Sequence, residues 1–314
     1  MLSQSPALKK ISKVNFMSKV IISQSQINFS LADLPEMEKP GKILMVKPTH
    51  FSVDYVINPH MEGNVGKVDK ENAMTEWENV RDAFKAAGMD VYELEGVEGL
   101  PDMVFCANQS LPCITEEGDK EVIMSIMYSE NRKPEVAHIE EWYLENGYAI
   151  HHLNYKSVDI FEGMGDAVWH PGKRLLWGGY GFRTSKKAYE HISDQWGVPV
   201  IALKLTHPEF YHLDTCMCML NEDSVLIYPA AFTKKGLAMI KSVFPNVIEA
   251  EEYEAEKLFA CNATCPNGKD VIIQRGSTNT VKELTEAGFN VHEVDTEEFL
   301  KSGGSVFCMK LMLW

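Results

Sequence analysis

A thiol, an imidazole and a carboxylate are the parts of a nucleophile, its base and the group that orients the base. This sequence offers one of each in a setting that could aim them. Cys308 lies in Gly303-Gly304-Ser305-Val306-Phe307-Cys308-Met309-Lys310, where two glycines let the backbone turn in ways a side chain would block. His212 lies in Tyr211-His212-Leu213-Asp214-Thr215, and Glu162 opens Glu162-Gly163-Met164-Gly165-Asp166. A cysteine in an apolar strand is most often plain packing, so the glycines ahead of Cys308 are what single it out. Cys106, Cys113, Cys216, Cys218, Cys261 and Cys265 read as packing. Neither Cys216-x-Cys218 nor Cys261-x-x-x-Cys265 has the second pair of a zinc site, so no metal is expected.

His212 and Asp214 stand two apart. In a strand that spacing puts both side chains on one face, aimed at one cavity, or makes a hydrogen-bonded pair at a strand start. Glu162 and Asp166 flank Gly-Met-Gly, which holds two carboxylates on a bare backbone or forms an ordinary acidic turn. The run Asp102 to Asn108 reads as a strand with polar ends, and Asn108 as a ligand contact or a turn cap. Arg183 precedes a helix start at Thr184-Ser185. Arg132 sits in Asn131-Arg132-Lys133-Pro134. Each arginine could grip a carboxylate by its fork or pair with a surface acid.

The elements that must position these groups recur. An amphipathic helical stretch ends at Gly or Asn, and a short apolar strand follows. The junctions are Gly88, Gly147, Gly197, Asn246 and Gly288, where glycine closes a helix in the left-handed conformation. Ahead of the first, Ala73, Trp77, Val80, Phe84 and Ala87 share one helical face. The copies are spaced by about 45 to 60 residues, in the range of repeat architectures. Between them lie short β-like runs at 103–107, 122–127, 167–170, 175–178, 215–220, 224–228, 271–274 and 306–313. Five units of two or more strands and a helix could close into a ring with one shared centre. The alternative is a two-layer α/β sheet. Gly178-Gly179-Tyr180-Gly181 lacks the spacing and lysine of a phosphate loop.

Bulk properties narrow the function. Of 314 residues, 45% are hydrophobic and 24% charged, the composition of a soluble globular protein. No apolar run approaches the roughly 18 residues that span a bilayer, so no membrane association is expected. A net charge of −15 argues against nucleic acid and is compatible with drawing in a small cation. Seven cysteines without a framework spacing point to a reducing, cytoplasmic compartment. Residues 1–38 read as a loose N-terminal tail and 39–314 as one catalytic domain. The tail is serine-rich and lacks an acid before Asp33, as in a transit peptide, but it also lacks arginine.

Taken in order, these motifs resemble the amidinotransferase, arginine deiminase and dimethylarginine dimethylaminohydrolase superfamily, over about Ile43 to Leu313. The residues that carry the resemblance are Asn58-Pro59-x-Met61, Asp102 through Asn108, Glu162-Gly163-x-Gly165-Asp166, Gly181-Phe182-Arg183-Thr184, His212-x-Asp214-Thr215, and Gly303-Gly304-Ser305 ahead of Cys308. The resemblance implies the pentein fold, a five-bladed α/β propeller with pseudo-fivefold repeats. It implies a guanidino substrate, no cofactor, Cys308 as nucleophile and His212 as general acid and base. Glu162 and Asp214 would contact the guanidinium, with Asn58, Asn108 and Asp166 in the substrate site. Arg183 and Arg132 would hold the substrate α-carboxylate. Two departures stand out: Asn108 where deiminases carry aspartate, and Glu-Gly-Met-Gly-Asp where Glu-Gly-Gly-Asp is common. The Phe-x-Ala-Asn segment looks most like the arginine dihydrolases, which release ornithine, ammonia and carbon dioxide. Arginine deiminase, methylarginine hydrolase, amidinotransferase and a non-catalytic binding pentein are the alternatives, and a homo-oligomer stays open.

Overall fold

The computed structural model describes residues 19–314. Its strands fall into five separate small sheets, and four of them share one construction. A short strand pairs antiparallel with a middle strand, a helix follows, and an outer strand returns parallel to the middle one. The clearest copies are Ser110–Ile114, Lys120–Met124, helix Glu135–Glu145 and Ala149–His152, and Met217–Met219, Ser224–Ile227, helix Lys234–Val243 and Asn246–Glu249. A third runs Ala167–Trp169, Leu176–Tyr180, helix Lys186–Trp196 and Pro199–Lys204. In the unit of Asp270–Gln274 and Asn290–Val294 the first strand shrinks to a bridge between Thr264 and Ile272. The remaining unit joins the two ends of the domain. Its first strand, Leu311–Leu313, comes from the C-terminus and pairs antiparallel with Lys42–Val46, which runs parallel to Asp90–Leu94.

Burial grades across each sheet. The first strands are buried at every position, while Asp90–Leu94, Ala149–His152 and Asn246–Glu249 are largely open to solvent. That gradient is why the first strands read as short apolar runs and the outer ones alternate. The exception is Pro199–Lys204, buried except at Lys204, because Lys19–Ile21 pairs along its outer edge.

Helix Lys70–Ala86 buries Ala73, Trp77, Val80 and Phe84, the face its 3.6-residue period specifies. Gly88, Gly147, Gly197 and Gly288 all take positive φ, the conformation a side chain resists.

Three expectations change. Residues 19–38 are not a separate tail: Ile21, Leu34 and Met37 are buried in the common core, and Glu36 pairs with Lys173. The reading of 1–18 as tail or targeting segment lies outside the described residues. The runs at 103–107 and 306–310 are not strands; 103–107 falls in short 3-10 turns, and pairing resumes only at Leu311. His212 and Asp214 are not on a strand either, since Leu213–Thr215 is a 3-10 turn with His212 at its start. Periodicity cannot separate a short buried turn from a short buried strand.

Candidate active site

The site is assembled from one kind of place. Each unit delivers a polar group on the turn just before its innermost strand. Asn108 precedes Ser110–Ile114, Asp166 precedes Ala167–Trp169, and Asp214 precedes Met217–Met219. Asn262 precedes the Thr264 bridge, and Cys308 precedes Leu311–Leu313. These turns need unusual backbone. Gly163 sits at φ +49°, and a Cβ there would lie 2.4 Å from the Ser110 carbonyl oxygen. A Cβ on Gly303 would meet the Tyr211 hydroxyl at 2.7 Å.

Cys308 and His212 line the same cavity, together with Asn58, Asn108, Arg132 and Arg183. The Cys308 thiol donates to Asp214 Oδ2 at 3.2 Å, and Asn262 Nδ2 donates to the sulfur at 3.2 Å. Asn262 Oδ1 also accepts from the backbone N–H of Ser305, and its Nδ2 donates to the Asp214 carbonyl. One amide therefore ties the nucleophile's loop to the turn that carries Asp214. Burial pushes the Cys308 thiol well above its usual range, and the Asp214 carboxylate beside it pushes the same way. Burial also raises Asp214, to about 7, against the hydrogen bond from Cys308.

His212 Nε2 lies 2.6 Å from Glu162 Oε2. Glu162 is fully buried and receives the Tyr128 backbone N–H at 2.9 Å and Arg183 Nη1 at 3.3 Å. Burial alone would raise its carboxyl, but the His212 hydrogen bond and charge, with Arg183 and Arg132, outweigh it and hold it at about 2. This is the ionised partner that an acid–base imidazole needs.

The two arginines stand differently. Arg132 is buried and donates to both Glu135 oxygens, to Asn108 Oδ1 at 2.9 Å, and to the carbonyls of Asp102 and Phe105. Its fork is occupied by the protein. Arg183 lies with its guanidinium 5.0 Å from both the Tyr128 and Tyr211 rings, and donates to the Ile57 carbonyl at 2.6 Å. Asn58 caps the turn Pro59–Met61 and donates to the Ser302 carbonyl at 2.9 Å. Asp166 is fully buried and accepts from the Leu213 N–H, so it braces the His212 turn and does not line the cavity. Burial raises its carboxyl to about 7.

Asn108 is fixed by Arg132 at its oxygen, so its amide nitrogen faces the other way and has no hydrogen-bond partner. Sequence reasoning missed Asn262, Tyr55 and Ser302. The last two donate to the Asp102 carboxylate at 2.7 and 2.9 Å. Asn262 did carry a signal: Ala260-Cys261-Asn262 occupies in its unit the turn that Cys106-Ala107-Asn108 occupies in its own. Among the described residues, no group of three or more His, Cys, Asp or Glu side chains could hold a metal ion.

A buried thiol with a carboxylate and an amide on its sulfur, facing an imidazole backed by an ionised glutamate, defines a cysteine-dependent hydrolase-type centre on a mixed α/β scaffold. The chain belongs to the family described as N,N dimethylarginine dimethylhydrolase, eukaryotic, whose sequence pattern matches residues 48–313. It is similar to the bifunctional arginine dihydrolase/ornithine cyclodeaminase ArgZ of Synechocystis sp., with 39% identity over 86% of this chain and 37% of ArgZ. This chain thus spans little more than a third of that relative. It is also similar to the N(G),N(G)-dimethylarginine dimethylaminohydrolase of Mycobacterium tuberculosis, 34% identical over 85% of this chain and 84% of that one. Among solved structures, the N-terminal domain of ArgZ bound to substrate superposes with a TM-score of 0.81 at 37% identity, covering 87% of this chain and 97% of that domain.

Proposed function

We propose that this chain hydrolyses the guanidinium group of arginine through a covalent intermediate on Cys308, in two rounds that yield ornithine, carbon dioxide and two molecules of ammonia. The observation that carries the reading is that Cys308 and His212 line one cavity, with Asp214 bonded behind the thiol and Glu162 behind the imidazole. A guanidinium carbon is a poor electrophile and needs a soft, strong nucleophile. Burial and the Asp214 carboxylate push the thiol's pKa up. A bound cation between Glu162 and Asp214 favours the thiolate, and Asp214 Oδ2 is placed to accept the proton. Sulfur attacks the guanidinium carbon and a C–S bond forms. The bond to a terminal nitrogen breaks, and that nitrogen leaves as ammonia with a proton from His212. His212 then takes a proton from water, which attacks the same carbon, and the C–S bond breaks.

That first round gives a ureido product. The unpartnered Asn108 amide donor supports a second one, because a ureido oxygen accepts a hydrogen bond where a guanidinium nitrogen cannot. Renewed attack expels a second ammonia, and hydrolysis leaves a carbamate that breaks down to amine and carbon dioxide. Arg183 is the group for the substrate α-carboxylate, with Asn58 beside it at the cavity wall. Arg132, its fork already filled, instead orients Asn108. The cavity holds about 20 Å³, room for about one water, so its walls must move apart to admit arginine.

The family match favours a second reading, hydrolysis of a methylated arginine to citrulline. Mass spectrometry of products from arginine and its mono- and dimethyl forms decides. Two ammonia and ornithine from arginine support the dihydrolase, and one ammonia with citrulline means a deiminase. Dimethylamine release from dimethylarginine supports the second reading, and no product from any of them removes both. Cys308→Ser abolishes turnover if the sulfur is the nucleophile; retained activity overturns the covalent route.

The five repeated units and the pairing of the last strand with the first unit support closure into a five-bladed pentein propeller. The common core from Ile21 onward supports one catalytic domain. All seven cysteines are unpaired, which supports a reducing, cytoplasmic setting. No described helix is long and apolar enough to cross a membrane.

A further inference from the structure

A second cavity, of about 130 Å³, shares no lining residue with the one at Cys308. Chain direction places it at the other end of the innermost strands. Asp166 stands before the strand that ends in Trp169, Asp214 before the strand that ends in Met219, and Cys308 before the strand that Trp314 follows. Trp169, Met219 and Trp314 all line the second cavity. The same strands therefore present one set of groups to the proposed active site and another to this opposite pocket.

The pocket is mostly apolar, with Met164, Phe307 and Met312 in its walls. Yet two buried polar atoms without a hydrogen-bond partner belong to residues that line it: Lys310 Nζ and Thr264 Oγ1. Lys310 is fully buried, and its amine lies over the Phe307 ring, 3.2 Å from the centroid. The ring face gives partial compensation for a cation. A buried cation nevertheless calls for an anion and for hydrogen-bond acceptors. His170 is already served: its Nδ1 takes the Trp177 indole N–H at 3.2 Å, and its other nitrogen bonds the Glu222 backbone. The unsatisfied set is thus an amine and a hydroxyl. Both can donate, and both belong to residues that wall an apolar hollow.

At the rim, Glu222 is paired with Lys173 at 3.4 Å, and the exposed side chains of Glu38 and Lys39 offset each other in charge. The complement is an acceptor-only group carried on an apolar body.

We propose that this cavity is a second ligand site, distinct from the Cys308 centre, that takes a small aliphatic carboxylate with its carboxyl group on Lys310. The ligand's carboxylate accepts from the Lys310 amine and from Thr264, and its hydrocarbon packs against the methionines and tryptophans. A branched chain of five or six carbons suits the volume. An amine brings no anion to the ammonium, and an alcohol offers only one neutral acceptor oxygen, so both bind more weakly.

Trp169 and Trp314 line the pocket and report occupancy by their fluorescence. The purified chain is titrated with 4-methylpentanoate and, in parallel, with 4-methylpentan-1-ol. The expected result is a saturable change with the acid at or below about 1 mM, and binding at least about tenfold weaker for the alcohol. Lys310→Met, close in volume, loses the same tenfold. Cys308→Ser binds the acid as the parent does, and added arginine does not compete. No saturable change with the acid up to about 10 mM, or equal binding of acid and alcohol, overturns the proposal. So does unchanged binding by Lys310→Met, or loss of binding in Cys308→Ser. Should Lys310→Met fail to fold, the acid-against-alcohol comparison on the parent decides alone. None of these readouts depends on turnover, so the proposal stands or falls apart from the hydrolase reading.

Discussion

Asp214 is the residue whose charge the reaction depends on most directly. It accepts from the Cys308 thiol, and burial lifts its carboxyl to about 7. Only the ionised form accepts the thiol proton and pairs with a guanidinium. The expected kcat/KM therefore falls as pH drops through about 7, by about tenfold per unit on the acid limb. Asp214→Asn removes that limb and lowers kcat/KM by about a hundredfold or more. A limb that persists unchanged in the variant would assign it to another group. Lys310 is a stability matter at the same scale. Burial pulls its ammonium from 10.5 down to about 7, while Asp214, Cys218, Cys106 and Cys308 face it and favour the charge. Between those values the unfolded chain holds the proton and the folded chain does not, so stability of the parent rises with pH across that window. Lys310→Met is expected to stabilise the fold at pH 7 by about 1–4 kcal/mol. The gain shrinks as pH approaches 10.5, as melting curves at both pH values would show.

At the scale of the element, the turns ahead of the innermost strands carry the site, and their glycines leave no room for change. Gly163→Ala forces a Cβ into the Ser110 backbone at a positive φ. A loss of about 1–3 kcal/mol is expected, read as a lower Tm. Gly165→Ala tests chemistry as well as packing. Its Cβ would lie 2.2 Å from Asn108 Nδ2, and Arg132 restrains that side chain from the other end. The amide must move, so products from arginine should shift from ornithine toward citrulline. An unchanged product ratio would show that Asn108 takes no part in the second round. The element scale also shows how far local patterns reach. The glycine junctions and the apolar face of Lys70–Ala86 were readable because a helix and its end are decided by neighbours three or four residues away. The short turns at 103–107 and 213–215 were not, because three or four buried residues fit a turn and a strand equally well.

For the whole molecule, the packed body begins earlier than the composition of the tail suggests. Ile21 is buried and pairs across from Ile201 on an otherwise open sheet edge. Ile21→Asp is expected to destabilise the fold by about 2–5 kcal/mol, from the lost core methylenes and an unpaired buried charge. An unchanged melting temperature would mean that this strand docks without contributing. Serine and lysine content made this segment look detached, since only the pairing partner, some 180 residues away in sequence (Ile21 to Ile201), gives it a place.

The sequence by itself determined the repeated strand–helix–strand units, the ordered motifs that mark the family, and the cysteine, histidine and glutamate around which the chemistry is proposed. Those features depend on residue type and short spacing, and both are written in the chain. The tertiary structure decided what each group touches. It set Asn262 on the Cys308 sulfur from 46 residues away and closed Arg132 on Glu135 and Asn108. It also left Lys310 buried without a hydrogen-bond partner beside a second cavity. Hydrogen bonds and desolvation act over about 3 Å of space, and no sequence spacing measures that distance.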